Sequence, residues 1–194
     1  MARGDSNTYQ IVPIVNNATA ATPDADLGHG TAPWQDLYLH GGVYFDGDTA
    51  TNKLDAYEEG VWTPAYTTTN GDGTFTHDTV RKGYYTVIGD VVHASFRLRT
   101  DAVSGGTGNL LISGLPFASK NVTSAGQSGS LVVGRSHNFG TYFPIGGYVN
   151  DAASSITVVA LSSLNTNTVT AVSNILLDGG NKNDLMAHVT YKKA

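Results

Sequence analysis

With 194 residues, 14% of them charged, 23 glycines and no cysteine, the chain is sized for one core-bearing domain plus an appendage, without disulfides or thiol chemistry. Its formal charge of -5 comes from 16 acidic and 11 basic residues scattered along the sequence, which excludes the basic footprint of a nucleic-acid binder. No run approaches the roughly 20 apolar residues needed to cross a bilayer, and no charged region followed by an apolar core opens the chain, so neither membrane insertion nor a secretion signal is expected.

Residues 1–32 are mostly small and polar, broken by Ile11, Val12, Pro13, Ile14 and Val15. A short apolar plug in a polar segment cannot bury itself, so this stretch is read as an arm that orders by docking on a partner. Arg3-Gly4-Asp5 spells an integrin-type tripeptide, too short a match to carry a function.

Residues 33–60 change character. Leu37, Leu39, Val43 and Phe45 share odd parity, Asp36, Tyr38, His40, Tyr44 and Asp46 fall on even positions, and Gly41-Gly42 lies between. A hairpin at the two glycines would set His40 opposite Val43 and Leu39 opposite Tyr44, splitting the apolar set between faces. A nearly straight extended segment would line all four on one side. The straight reading is favoured, and a lone segment with one oily side needs partners: three copies about an axis, each turning Leu37, Leu39, Val43 and Phe45 inward. Asp55, Glu58 and Glu59 then lie in a link before the body. Neither the link nor Asn70-Gly71-Asp72-Gly73 has the ligand alternation of a calcium loop.

The body, 61–194, is low in charge and rich in Gly, Thr, Ser, Asn and Val, the composition of strands joined by turns. Pro64 suits a strand start. Ala65–Thr69 and Thr74–His77 flank a four-residue turn signal and predict a hairpin. In the clearest two-face strand, Val92, Ala94, Phe96 and Leu98 point to the core and His93, Ser95, Arg97 and Arg99 away. Ile88-Gly89-Asp90 joins it antiparallel to Tyr84–Val87. Further strands are predicted at 109–113, 129–133, 142–149, 155–161, 168–176 and 185–191, which together predict an all-β antiparallel sandwich or jelly-roll head.

No catalytic, cofactor or metal site emerges. Asp72, Asp90, Asp101, Asp151, Asp178 and Asp184 sit in turn contexts, where aspartate serves the backbone, and nothing marks a glycosidase-type pair. The six histidines, His29, His40, His77, His93, His137 and His188, lack zinc-site spacing; on a trimer axis, three copies of His40 would meet only if it turned inward. No G-x-S-x-G elbow appears, and Asn121-Val122-Thr123 reads as a loop. The loops at 104–108 and 136–147 are candidate recognition surfaces. There Tyr142, Phe143 and Tyr148 are candidates to stack on the sugar rings of a host surface glycan, or to serve as core and subunit contacts.

PWQDLYLHGGVYFDG followed by NKLDAYEEGVWTPAY resembles a segment recurrent in virion appendage proteins of tailed bacteriophages, marine and cyanobacterial ones especially. YYTVIGDVVHASFRL, GNLLISGLPF and the closing AHVTYKKA resemble strands of the β-rich terminal domain that follows it, so the likeness runs from about Leu27 onward. It implies a homotrimeric fibre or spike, assembled in the bacterial cytoplasm and carried on the virion; phage fibres can be depolymerases, but because the residues mark no catalytic pair a non-enzymatic role is expected. The arm would dock it onto a larger tail or capsid protein, for host attachment or capsid decoration. A free carbohydrate-binding module is the alternative.

Overall fold

The computed structural model describes residues 31, 34–40, 42–45, 53–54, 56–122, 126–162, 167–168, 175–176 and 182–194. The arm residues Ile11, Val12, Ile14 and Val15 lie outside these, as do Asp178 and most of the strand expected at 168–176. The chain divides into two compact units, Met1–His40 and Gly41–Ala194. Residues 34–40, in the first, carry no strand.

Among the described residues, twelve strands follow in the second unit: β1 Val43–Tyr44, β2 Lys53–Leu54, β3 Tyr57–Trp62, β4 Ala65–Thr68, β5 Thr74–Ile88, β6 Val91–Ser104, β7 Leu110–Ser113, β8 Gln127–His137, β9 Tyr142–Asn150, β10 Ser155–Ser162, β11 Asn167–Thr168 and β12 Asp184–Lys192. In β6 the alternation holds, since Val92, Ala94, Phe96 and Leu98 are buried while His93 and Ser95 face out. The β5–β6 hairpin turns at Gly89-Asp90, pairing Ile88 with Val91; Gly89 sits at φ 61°, a conformation that costs glycine nothing.

The long sheet is antiparallel, with ten strands in the order β3-β5-β6-β12-β8-β9-β10-β7-β4 and β11 attached to β10. Its two end strands, β3 and β4, are separated in sequence only by Thr63 and Pro64. The sheet must therefore curl until its ends meet. The layers of the expected sandwich are one continuous sheet rolled over a single core, which includes Trp62, Phe96, Leu98, Leu110, Ile112, Ile156 and Tyr191. The seam is closed by side chains: the Tyr66 N–H donates to His77 Nε2 at 3.0 Å and Arg81 Nε donates to the Pro64 carbonyl at 2.7 Å. Pro64 precedes β4 where no ladder donor is needed. Inside, the Trp62 ring lies over Gly83, its cross-strand partner, in space any side chain there would occupy, and meets Phe96 edge to face at 5.3 Å.

Two local expectations are corrected. The segments flanking Asn70–Gly73 do not form a hairpin ladder; β4 pairs with β7 and β5 with β6. Asp72 explains why: its carboxylate accepts from Thr68 Oγ1 and from the Thr107 N–H, each at 2.8 Å. The turn is thereby tied to the 105–108 loop, and the chain rounds a corner between opposite ends of the sheet. The link before the body is largely strand, because β3 pairs with β5 from Tyr57 onward and Glu58 accepts from the Tyr85 hydroxyl at 2.6 Å. Gly41 lies outside the described residues; beyond it Val43 pairs with Leu54 and Tyr44 with Lys53.

Candidate functional site

Strand register builds one outer face of the head residue by residue. Val61, Tyr84, Ser95, His188 and Val132 follow one another across β3, β5, β6, β12 and β8. Val61, Tyr84, Val132 and Met186 are large apolar side chains in solvent here, with Tyr57 opposite Ile88 farther along β3 and β5. Two adjoining hollows floor this face. One of about 360 Å³ lies among Val80, Lys82, Tyr84, Phe96, Arg97 and Met186. The other, about 280 Å³, lies among Ser95, Val132, Gly134, Met186 and His188. Lys82 Nζ sits 5.1 Å from the Tyr84 ring centroid, where the ring quadrupole attracts the cation.

Two carboxylates anchor the charged rim. At a bulge, Asp78, Thr79 and Val80 of β5 stand opposite Arg99 alone, between the pairs His77–Thr100 and Arg81–Leu98. Asp78 is buried and accepts from Lys182 Nζ at 2.9 Å, the Val80 N–H at 3.0 Å, Thr79 Oγ1 at 2.9 Å and Arg99 Nε at 2.7 Å. Lys182 first, then these other donors, hold its carboxyl far below the usual range. Asp184 opens β12 and takes Arg97 in a fork, Nε to Oδ1 at 2.9 Å and Nη2 to Oδ2 at 2.7 Å, with Arg135 at 3.5 Å. Arg97 is the main reason its carboxyl also titrates low. Asp184 is thus not the turn aspartate its sequence context predicts. Asp78 escapes sequence reasoning because its partners lie 21 and 104 positions away; the available signal was the outward pair Arg97 and Arg99, which needed acidic partners on a neighbouring strand.

The proposed axial residues are solvated in the single chain: Leu37 is 61% exposed, Leu39 51%, Val43 37% and Phe45 59%. Leu37 and Leu39 belong to the first unit, Val43 and Phe45 to the second. The three β9 aromatics are not brought onto one face. The β9–β10 register shifts between Val159 and Ala160, which face Gly146 and Pro144 and leave Ile145 as the extra residue. Before that bulge Tyr142 turns in against the core with Pro144, while Phe143 faces solvent. After it Val149 turns in and Tyr148 out, so Phe143 and Tyr148 share the outer side.

Among the described residues, no three His, Cys, Asp or Glu side chains are grouped to hold a metal ion, and no helix is long and apolar enough to cross a membrane. No family model and no curated protein matches the sequence. The fold is similar to that of a solved protein, the Dettilon tailspike protein (gp208). The likeness has a TM-score of 0.56 at 15% identity and covers 71% of this chain and 24% of that one.

Proposed function

We propose that this chain is a non-enzymatic structural subunit of a bacteriophage virion. Three copies join through the segment carrying Leu37, Leu39, Val43 and Phe45, residues 1–32 dock on a larger tail or capsid protein, and the β head projects for host attachment or particle decoration. The observation that carries this reading is the row of large apolar side chains left in solvent between Trp34 and Phe45, with Trp34 64% and Tyr38 89% exposed. Such a row marks an assembly surface, and a free sugar-binding module has no use for it. The tailspike-like fold supports the phage setting. The non-enzymatic part is a reading of the sequence, which marks no glycosidase-type carboxylate pair.

Antibody labelling of intact virions, read by electron microscopy, tests the placement. Label at the tail or capsid surface is expected, and particles that carry none of the protein would refute the reading. Release of reducing sugar from host polysaccharide by the purified chain would refute its non-enzymatic part.

A further inference from the structure

His93 and His188 form a cross-strand pair on the outer face. His93 of β6 lies opposite Thr190 of β12, and His188 lies opposite Ser95, so the two histidines are diagonal neighbours on one side of the ladder. Both are exposed. Their rings stack with centroids 6.1 Å apart and planes 29° from parallel. Both rings converge on the same atom: His93 Nδ1 lies 3.2 Å and His188 Nε2 3.0 Å from Thr190 Oγ1. One hydroxyl has one proton, so it donates to at most one of the two ring nitrogens and accepts an N–H from at least one. The two imidazoles thus converge on a common point.

We propose that His93 and His188 form a bidentate site for a borderline transition-metal ion, Zn²⁺, Cu²⁺ or Ni²⁺, with Thr190 between them. Imidazole nitrogen suits these ions, and hard cations such as Mg²⁺ and Ca²⁺ prefer oxygen. An ion held between the two ring nitrogens, at a metal–nitrogen bond of about 2.0–2.1 Å, replaces the Thr190 hydroxyl as their shared partner, so that hydroxyl rotates aside and the two exposed rings close on the ion. A ring that presents an N–H there changes tautomer so that both lone pairs face the metal. Water fills the remaining positions.

The neighbouring charges leave the site open. Arg97, further along β6 on the same face, is occupied by Asp184. Lys192, further along β12, faces Asp90 at 3.4 Å. The opposed positions on β5 and β8 are Thr86, Tyr84, Ser130 and Val132, which bring no competing carboxylate.

The full chain, purified without an affinity tag, is titrated with Zn²⁺ by calorimetry at about pH 7.5, where an ordinary imidazole is neutral. One saturable site is expected, weakened at least about tenfold in His93→Ala and in His188→Ala, on the scale seen when a metal's support is removed, and unchanged in His137→Ala. Histidine NMR spectra with substoichiometric Cu²⁺ provide a second readout, with resonances of His93 and His188 broadening first. Zinc affinity in both single variants equal to that of the parent chain, or broadening spread evenly over all six histidines, would overturn the proposal.

Discussion

The Tyr66 N–H donates to His77 Nε2 at 3.0 Å, and this bond helps join the two ends of a ten-stranded sheet. It works only while His77 is neutral, because a protonated ring has no lone pair at Nε2. Burial, with the Arg81 guanidinium second, lowers the His77 pKa to about 4.

The sign of the pH dependence follows. The unfolded chain takes up a proton on His77 near pH 6.5 and the folded chain only near 4, so the His77 contribution is complete above about 6.5 and is lost as pH falls toward about 4. Thermal melts across that window should show the midpoint falling with pH. His77→Leu should flatten that part of the profile. It should also cost about 1–3 kcal/mol, since the buried Tyr66 N–H loses its acceptor.

A second acid transition lies lower. Asp78 and Asp184 titrate below their ordinary value in the fold, so their contribution is present above about pH 4 and disappears as pH drops through the folded values. Asp184→Ala leaves Arg97 and Arg135 without their shared carboxylate. Because both arginines are partly in solvent, the expected loss is about 1–3 kcal/mol by chemical denaturation, below the range for a fully buried pair.

Removing the Tyr66 hydroxyl should have the opposite outcome. It is buried and has no hydrogen-bond partner among the described residues, and burial raises its pKa well above the ordinary phenol. Tyr66→Phe should therefore leave stability unchanged or raise it by up to about 1 kcal/mol in urea melts, since no paired partner is abandoned.

Leu98→Ala, in the middle of β6 and fully buried, should cost about 2–5 kcal/mol. Gly83→Ala should also destabilise, by about 1–3 kcal/mol, because the new methyl meets the Trp62 ring. Equilibrium unfolding measures both, and a Gly83→Ala protein as stable as the parent would contradict the stacked geometry.

Much of the fold was legible in local pattern. Val92 through Leu98 alternate strictly, Gly89-Asp90 sits between two apolar runs, and Leu185 through Tyr191 repeat the alternation, so strands and the β5–β6 hairpin follow from periodicity two. Long-range matters were not. The turn signal at Asn70–Gly73 was real, but strand choice depended on Asp72 reaching Thr107, a partner 35 positions away. The β9 bulge that turns Tyr142 inward and Tyr148 outward depends on pairing with β10, which alternation along β9 alone does not encode. The pairing of His93 with His188 is likewise a property of register, invisible in dispersed histidines.

The central claim is that the solvent-exposed row from Leu37 to Phe45 joins three copies, and the native mass of the full chain in solution tests it most directly. Light scattering on the eluting protein at micromolar concentration should give three times the 20.3 kDa chain mass, falling toward one chain in the double variant Leu39→Asp/Phe45→Asp. A parent protein that elutes at the mass of a single chain would contradict the account.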